Sequence, residues 1–276
     1  MLFCAVLTAF LSCRDSAMAG VPVVKTGIEV LCDNDFEGLK GRRVGLVTNP
    51  SGVDRLLNST IDILFNAPEV ELVALYGPEH GVRGDVYAGG HVTDTKDEVT
   101  GLPVYSIYGA TRKPTPEMLE GIDVMVYDIQ DVGVRSYTFI STLGLVMEAC
   151  GEKGIEVMVL DRPNPLGGNK IEGCCVEPGF FSFVSQYKIP YVYGLTVGEL
   201  AVMINEEGMN RGQKGNQAPA RSKLTASIRV AKESWGLLSS DCRANRPHLG
   251  LWLHVRPHGP CTGRKGPGRC GCDGGP

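Results

Sequence analysis

The length and composition of this chain exclude several broad classes of protein. Its 276 residues, 43% of them hydrophobic, can bury a sizeable core, and only four of its ten cysteines, at positions 32, 150, 174 and 175, lie in patterned sequence, so neither a disordered chain nor a disulfide scaffold is expected. The formal net charge of -4 conceals an asymmetry, because residues 210–276 hold 12 Lys and Arg against 3 Asp and Glu while residues 1–209 are strongly acidic.

The first nineteen residues resemble a secretory signal peptide. An apolar stretch from Leu2 to Leu11 precedes Ala17-Met18-Ala19, which has the small-x-small pattern of a cleavage site. We therefore predict a leader over residues 1–19 and export to the periplasm or the cell exterior. The alternative is a lipoprotein leader ending at Cys13, whose lipid would anchor the protein to a membrane. No later segment has the ~18 uninterrupted apolar residues of a membrane span.

From residue 43 onward, short apolar runs alternate with amphipathic segments. The four predicted strands are Val44–Thr48, Glu71–Tyr76, Asp123–Tyr127 and Glu156–Leu160, and the predicted helices are Ser59–Phe65, Thr115–Leu119, Thr138–Lys153 and Thr196–Glu207. Nearly continuous apolar strands are typical of a parallel sheet that is covered on both faces. The sequence thus predicts an α/β, Rossmann-like, open and mostly parallel sheet with helices on both faces, over residues 27–209.

Residues 210–276 break this pattern with a basic stretch rich in Gly, Pro and Arg, in which only Leu224–Val230 resembles a strand. Such a composition cannot easily bury a core, so a poorly ordered tail is predicted. One interpretation is a flexible tail that binds nucleic acid or another anionic polymer. We favour the other, a reading-frame artefact, and expect no nucleic-acid partner.

Polar loops follow each of the four predicted strands. They span residues 49–52, 77–84, 128–135 and 161–165. The carboxyl ends of parallel strands share one edge of the sheet, and ligands bind at that edge in open α/β folds. The four loops are therefore predicted to line one cleft, although Asp, Asn, Gly and Pro are also ordinary turn formers.

Two candidate catalytic residues, Glu79 and His80, lie between a rigid Pro78 and a permissive Gly81. A glutamic acid held in a cleft in this way would be able to act as the general acid of glycoside hydrolysis. The structural alternatives are a salt bridge from Glu79 to Arg83 and a histidine that only orients its neighbour.

The later loops supply further candidates for the site. Asp128 is the candidate second carboxylate, and Arg135 would hold an acidic group of the substrate with its planar fork. The other predicted substrate-binding residues are Asn49, Arg83, Gln130, Asp131, Tyr137, Asp161, Arg162, Asn164 and Glu172. For several of these residues a purely structural role remains open, and tyrosines more often pack in cores than stack on sugars.

Sequence motifs of several other enzyme classes are missing. The chain has no phosphate-binding Gly-x-x-x-x-Gly-Lys-Ser/Thr, no Gly-x-Gly-x-x-Gly after the first strand and no Gly-x-Ser-x-Gly elbow. We expect no cofactor. A metal site built from His80, Asp128 and Asp161 stays open as an alternative.

Four long motifs resemble the NamZ-type exo-β-N-acetylmuramidases. They are Gly41–Val53, Gly77–Gly84, Tyr127–Thr138 and Leu160–Gly168, within a resemblance that runs from about residue 27 to residue 209. The resemblance implies an exported enzyme that releases terminal N-acetylmuramic acid from the non-reducing ends of peptidoglycan fragments, with muramyl saccharides as its partners. It also implies that Glu79 is the principal catalytic carboxyl.

The same resemblance ends at Met209, where members of the family continue into a second domain that helps to wall the cleft. Because the basic stretch stands in its place, loss of activity is one expectation for this polypeptide. Two other functions therefore stay open beside the glycosidase. They are a non-catalytic module that binds cell-wall sugars and a metal-dependent hydrolase.

Overall fold

The computed structural model of the chain describes residues 24–84 and 95–209. The predicted leader with Cys13, the predicted tail at residues 210–276 and its strand-like segment lie outside the described residues. No helix in the described ranges is long and apolar enough to cross a membrane. The four cysteines in these ranges are free, and only Cys150 is buried.

A six-stranded sheet forms the centre of the molecule. Its strands are β1 (Arg43–Thr48), β2 (Glu71–Gly77), β3 (Thr95–Lys96), β4 (Pro103–Ser106), β5 (Val124–Asp128) and β6 (Glu156–Val159). The strand order is β3-β4-β2-β1-β5-β6, and every pairing is parallel except that of the short edge strand β3 with β4. The predicted open, mostly parallel sheet is confirmed.

The order of the parallel strands has a consequence for ligand binding. The chain starts in the middle at β1, moves outward through β2 and β4, and then crosses back to β5 and β6 on the other side. This is the arrangement of a Rossmann-like sheet, in which the strand order reverses between β1 and β5. The loops that leave these strands at their carboxyl ends therefore flank a crevice.

Within residues 24–84 and 95–209, four helices cover the two faces of the sheet. They are α1 (Gly27–Asp33), α2 (Thr60–Phe65), α3 (Phe139–Lys153) and α4 (Val197–Glu206). A capping box starts α4, since the Thr196 hydroxyl accepts from the Glu199 amide at 3.2 Å and the Glu199 carboxylate accepts from the Thr196 amide at 3.1 Å. Helix α3 is terminated by Gly154, which takes the left-handed conformation that ends many helices.

Two hydrophobic layers account for the buried strands. One layer packs α3 and α4 against one face, with Met125, Leu143 and Leu200 among its buried members. The other packs α1 and α2 against the opposite face, with Ile28 and Leu46 among its members. Because both faces are covered, strands such as β5 are buried along their whole length, which is why they read as continuous apolar runs.

Four elements differ from the sequence-based prediction. The predicted helix Thr115–Leu119 is not a helix, because residues 116–121 form successive turns. Pro114 precedes the segment and Pro116 lies within it, and the segment is too short to offset the cost of nucleating a helix. Strands β3 and β4 and helix α1 were not predicted, since each is short and has little apolar periodicity of its own.

Candidate functional site

At the carboxyl edge of the sheet, each loop contacts the loop of the neighbouring strand. The Ile107 amide donates to the Gly77 carbonyl at 3.0 Å, which joins the loops after β4 and β2. A Cβ on Gly84 would lie 2.7 Å from Pro50 Cγ, so the loops after β2 and β1 are also packed together. The loops of the outer strand β4 and the inner strands β2 and β1 thus form a continuous rim.

The rim continues across the crevice to β5 and β6. The Gln130 amide donates to Ser51 Oγ at 2.9 Å, and the Gln130 side-chain amide donates to the Pro163 carbonyl at 2.9 Å. Asn49 holds this contact in place, because its Oδ1 accepts from the Ser51 hydroxyl at 2.5 Å. Five loops, including one after the unpredicted β4, therefore share one edge of the sheet.

Glu79 and His80 lie on a tight turn at the end of β2. The Gly81 amide donates to the Pro78 carbonyl at 3.1 Å, and His80 has a φ of 76°, in the left-handed region that non-glycine residues rarely adopt. Both side chains are partly exposed. Backbone strain of this kind concentrates at functional sites, and here it fixes the direction in which Glu79 leaves the sheet.

Tyr108 is a member of the rim that the sequence analysis missed. Its side chain lies close enough to Glu79 and to Arg112 for both to act on its hydroxyl. Burial, followed by the contact with Glu79, raises the pKa of the Tyr108 hydroxyl. The only signal in the sequence was the polar loop that follows Pro103–Ser106, and that strand was itself too short to be recognised.

Arg83 is engaged by two acidic residues rather than by Glu79. Its Nε donates to Asp97 Oδ1 at 2.5 Å, and its Nη2 donates to Asp62 Oδ1 at 2.9 Å. These carboxylates raise the pKa of Arg83, and Arg83 in turn lowers the pKa of Asp97 to about 2. The alternative of a Glu79–Arg83 salt bridge is wrong, and the charge of Arg83 is already balanced by two carboxylates.

Asp128 and Arg162 form a buried ion pair beneath the crevice. Arg162 donates from Nε to Asp128 Oδ1 at 2.6 Å and from Nη2 to Oδ2 at 3.0 Å, while the Thr60 hydroxyl donates to Oδ2 at 2.5 Å. Asp128 is 0% exposed and Arg162 is 5% exposed. Both carboxylate oxygens are thus occupied, which favours a structural role over the predicted catalytic role of Asp128.

Asp161 and Asn164 bind backbone and neighbouring side chains in the loop after β6. The two oxygens of Asp161 accept from the Thr196 hydroxyl at 2.6 Å and from the Gly198 amide at 2.8 Å, at the start of α4. Asn164 Nδ2 donates to the Leu195 carbonyl at 2.8 Å. These contacts attach the start of α4 to the loop after β6, so both side chains have a structural role.

Arg135, Tyr137 and Glu172 lie in the more open part of the site. Arg135 Nη1 donates to the carbonyls of Cys174 and Ile189, and its guanidinium lies 5.8 Å from the centre of the Tyr191 ring. Tyr137 is 50% exposed, and Glu172 is exposed with its carboxylate 3.5 Å from Lys170 Nζ. Within the described ranges no carboxylate forms an ion pair with Arg135, so its charge is available to a ligand.

Asp131 is a buried carboxyl group with one unsatisfied oxygen. Its Oδ2 accepts from the Gly133 amide at 2.8 Å and from the Tyr193 hydroxyl, whereas its Oδ1 has no partner among the described residues. Burial raises the pKa of Asp131 to about 6. The position explains the shift, because a carboxylate that lacks a cationic partner is costly to ionise away from water.

This shift predicts a pH-dependent stability. Between the ordinary pKa of about 3.9 and the folded value near 6, the folded chain binds a proton that the unfolded chain does not. We therefore expect the contribution of Asp131 to the free energy of unfolding to be largest below about pH 4 and to fall by about 3 kcal/mol as the pH rises through 6. Asp131→Asn should remove this component, so the variant should gain stability relative to the parent between pH 4 and pH 7 in urea unfolding.

Glu98→Gln, which changes an exposed carboxylate, serves as the matched control for that measurement. Its stability difference from the parent should be nearly the same at both pH values. A constant difference between Asp131→Asn and the parent at pH 4 and pH 7 would contradict the prediction.

The alternative of a metal site at His80, Asp128 and Asp161 is wrong. In the part of the chain that the structure describes, no three His, Cys, Asp or Glu side chains come together in a group able to hold a metal ion. The geometry gives the reason, since the oxygens of Asp128 face Arg162 and those of Asp161 face the start of α4.

Comparison with known proteins identifies the family. Residues 44–229, more than half of the chain, match the family model described as the N-terminal part of the exo-beta-N-acetylmuramidase NamZ. The chain belongs to the NamZ family. It is 56% identical over 186 residues to the protein named peptidoglycan beta-N-acetylmuramidase NamZ from Bacillus subtilis (strain 168). The match covers 67% of this chain and 45% of that NamZ protein.

Two solved structures are similar to this NamZ family member. Both are DUF1343 family proteins from Bacteroides fragilis NCTC 9343. One is 60% identical with a TM-score of 0.66, and the match covers 75% of this chain and 49% of that one. The other is 34% identical with a TM-score of 0.59, and the corresponding shares are 68% and 48%. The chain thus spans about half the length of the relatives it matches.

Proposed function

We propose that this chain carries the catalytic carboxyl of an exo-β-N-acetylmuramidase, a glycosidase that releases terminal N-acetylmuramic acid from peptidoglycan fragments. The observation that supports the proposal most directly is the placement of Glu79. It is a partly exposed carboxyl on a strained turn, at the rim where five loops meet. The name of the Bacillus subtilis relative adds the substrate class.

Glu79 would act as the general acid. A glycosidic oxygen leaves readily only when it is protonated as its bond breaks, and a carboxylic acid supplies that proton in most glycosidases. The partly exposed position gives this carboxyl access to a ligand at the rim. Asp128, in contrast, has both oxygens bound by Arg162 and Thr60 and cannot take part without breaking that pair.

The second catalytic group of such a glycosidase is either a carboxylate or the acetamido group of the substrate. The buried positions of Asp128 and Asp131 favour the acetamido group. Its carbonyl oxygen would attack the anomeric carbon from the face opposite to Glu79, as in glycosidases that use assistance from the substrate. The reaction then needs a single protein carboxyl near the scissile bond.

Arg135 is the better candidate to bind the lactyl carboxylate that distinguishes muramic acid from glucosamine. Arg83 is already neutralised by Asp62 and Asp97, whereas Arg135 donates only to carbonyls in the hydrogen bonds found. Because Nη1 donates to two carbonyls and Nε is buried, the guanidinium would donate to the lactyl carboxylate through Nη2. The open position of Tyr137 would allow it to contact the same sugar.

This assignment predicts a selective defect in Arg135→Gln. We expect KM for a chromogenic N-acetylmuramide to rise about tenfold to a hundredfold, the loss of one charge-assisted hydrogen bond. Hydrolysis of the matching N-acetylglucosaminide, which lacks the lactyl group, should change little. The KM of Arg135→Lys for the muramide should lie between those of the parent and Arg135→Gln, because lysine keeps the charge but lacks the planar guanidinium. Equal defects on both substrates would contradict the assignment.

The function itself is tested by incubating the full chain with reduced peptidoglycan disaccharides that end in N-acetylmuramic acid. Mass spectrometry of the products should show free N-acetylmuramic acid, and chelator should not change the rate. Binding without product would favour the sugar-binding module instead. Activity that is lost in chelator and restored by a divalent cation would favour the metal-dependent hydrolase.

We propose an exported location as well, since intact muramyl saccharides occur in the cell wall and the first nineteen residues have the pattern of a leader. Intact-mass analysis of the secreted protein tests this. A mature chain that starts at Gly20 would support signal cleavage, and a lipid-modified Cys13 would support the lipoprotein alternative.

A further inference from the structure

The register of the sheet places Tyr108 next to Glu79. Strand β4 pairs with β2 in parallel, with Tyr76 opposite Tyr105 and Gly77 opposite Ser106. Two residues beyond the last pair on each strand are Glu79 and Tyr108, so the two residues lie just past the ends of neighbouring strands. This register explains why the carboxyl of Glu79 acts on the Tyr108 hydroxyl.

The loop that carries Tyr108 is held on both sides. Lys113 Nζ donates to Glu148 Oε1 at 2.6 Å and to Glu152 Oε1 at 2.8 Å, which fixes the loop to α3. The Arg112 guanidinium lies 4.4 Å from the centre of the Phe183 ring. A hydroxyl on such a loop has a defined position before any ligand arrives.

We propose that Tyr108 is a positioning residue for Glu79, which donates its hydroxyl hydrogen to the carboxyl and fixes the carboxyl for proton transfer to the glycosidic oxygen. The inference rests on the proposed function and deepens it. A hydroxyl donor occupies one oxygen of a carboxyl group and leaves the other to carry the catalytic proton. The strained turn orients the backbone of Glu79, and Tyr108 orients the end of its side chain.

The direction of the hydrogen bond is set by the environment of the hydroxyl. Burial and the carboxyl of Glu79 both raise the pKa of Tyr108, against a smaller opposing effect of Arg112. The phenol therefore stays protonated at neutral pH and acts as the donor. The contact is thus available over the whole pH range in which a carboxylic acid would catalyse.

The first experiment measures the contact without using activity. In the full chain labelled with [13Cζ]tyrosine, the Tyr108 signal is assigned by its loss in Tyr108→Phe, and its titration is followed by NMR. We expect Glu79→Gln to lower the pH at which Tyr108 ionises, because the charged partner is gone. Glu98→Gln, at an exposed carboxylate, is the control and should leave this titration unchanged. An unchanged Tyr108 titration in Glu79→Gln would overturn the proposal.

The second experiment distinguishes a positioning role of Tyr108 from a general loss of structure. Tyr108→Phe should lower kcat on a chromogenic N-acetylmuramide about tenfold to a hundredfold, with KM within about twofold of the parent. Tyr105→Phe removes a hydroxyl from the same strand, where the ring packs against Tyr76, and should keep both parameters. Full kcat in Tyr108→Phe would overturn the positioning role.

The two experiments distinguish this inference from the proposed function. If the parent chain releases no product while the Tyr108 titration still responds to Glu79→Gln, the glycosidase fails and the coupling of Tyr108 to Glu79 stands. If product forms but the titration does not respond, the glycosidase stands and the inference fails.

Discussion

Glu79→Gln is expected to lower kcat for hydrolysis of an N-acetylmuramide by about 100-fold to 10,000-fold, the usual contribution of a general acid. Glutamine has nearly the same shape as glutamic acid but has no proton to give to the leaving oxygen. The turn that holds residue 79 depends on the backbone of residues 78–81, so the fold should be retained. Steady-state kinetics with a chromogenic muramide would measure the loss.

The control for this experiment is the affinity of Glu79→Gln for a muramyl ligand. The dissociation constant of a muramyl ligand, measured by calorimetry, should change little in Glu79→Gln, because the substitution removes a proton donor rather than the cleft. A substrate with a better leaving group should recover part of the rate, since it needs less protonation. Turnover equal to that of the parent would remove Glu79 from the mechanism.

Asp128→Asn is expected to destabilise the fold by about 3–5 kcal/mol, the range found when one partner of a buried ion pair is removed. Asp128 is completely buried, and Arg162 would be left without its carboxylate under the crevice. The amide can accept one hydrogen bond at its oxygen, but its nitrogen would face a donor. Urea unfolding followed by circular dichroism would give the free energy difference.

Asp123→Asn is the matched control, because Asp123 is also paired with an arginine but lies at the surface. Its free energy of unfolding should change much less, as exposed ion pairs contribute little. The double variant Asp128→Leu with Arg162→Met should recover stability relative to Asp128→Asn, since no unpaired charge stays buried. A loss in Asp128→Asn no larger than that in Asp123→Asn would contradict the structural role.

The rim formed by the five loops has two parts with different roles. Around β5 and β6, the charged and polar side chains of Asp128, Arg162 and Asp161 bind protein groups and hold the loops together. Around β2 and β4, Glu79 and Tyr108 are partly exposed and directed by the ends of two paired strands. Catalysis is therefore expected at the β2 side, with Arg135 reaching the substrate from the other side.

The alternation of apolar strands and amphipathic helices was sufficient to predict the sheet and its carboxyl edge. Strands such as β5 are buried on both faces, so their hydrophobic runs are long and unmistakable. The polar loops after β1, β2, β5 and β6 followed directly from those strands. The elements β3, β4 and α1 escaped prediction because each is short and lacks a clear apolar pattern, unlike the equally short β6, whose residues 157–159 are all apolar.

Only the tertiary structure decided which polar side chains stay available for chemistry. In the sequence, Glu79 and Asp128 look alike, since each follows a strand and has an arginine within a few positions. In the fold, Asp128 forms an ion pair with Arg162, which is 34 residues away in the chain. Arg83 forms its ion pairs with Asp62 and Asp97 and not with Glu79. Ion pairs depend on distances between loops that the strand order brings together, and local sequence carries no record of those distances.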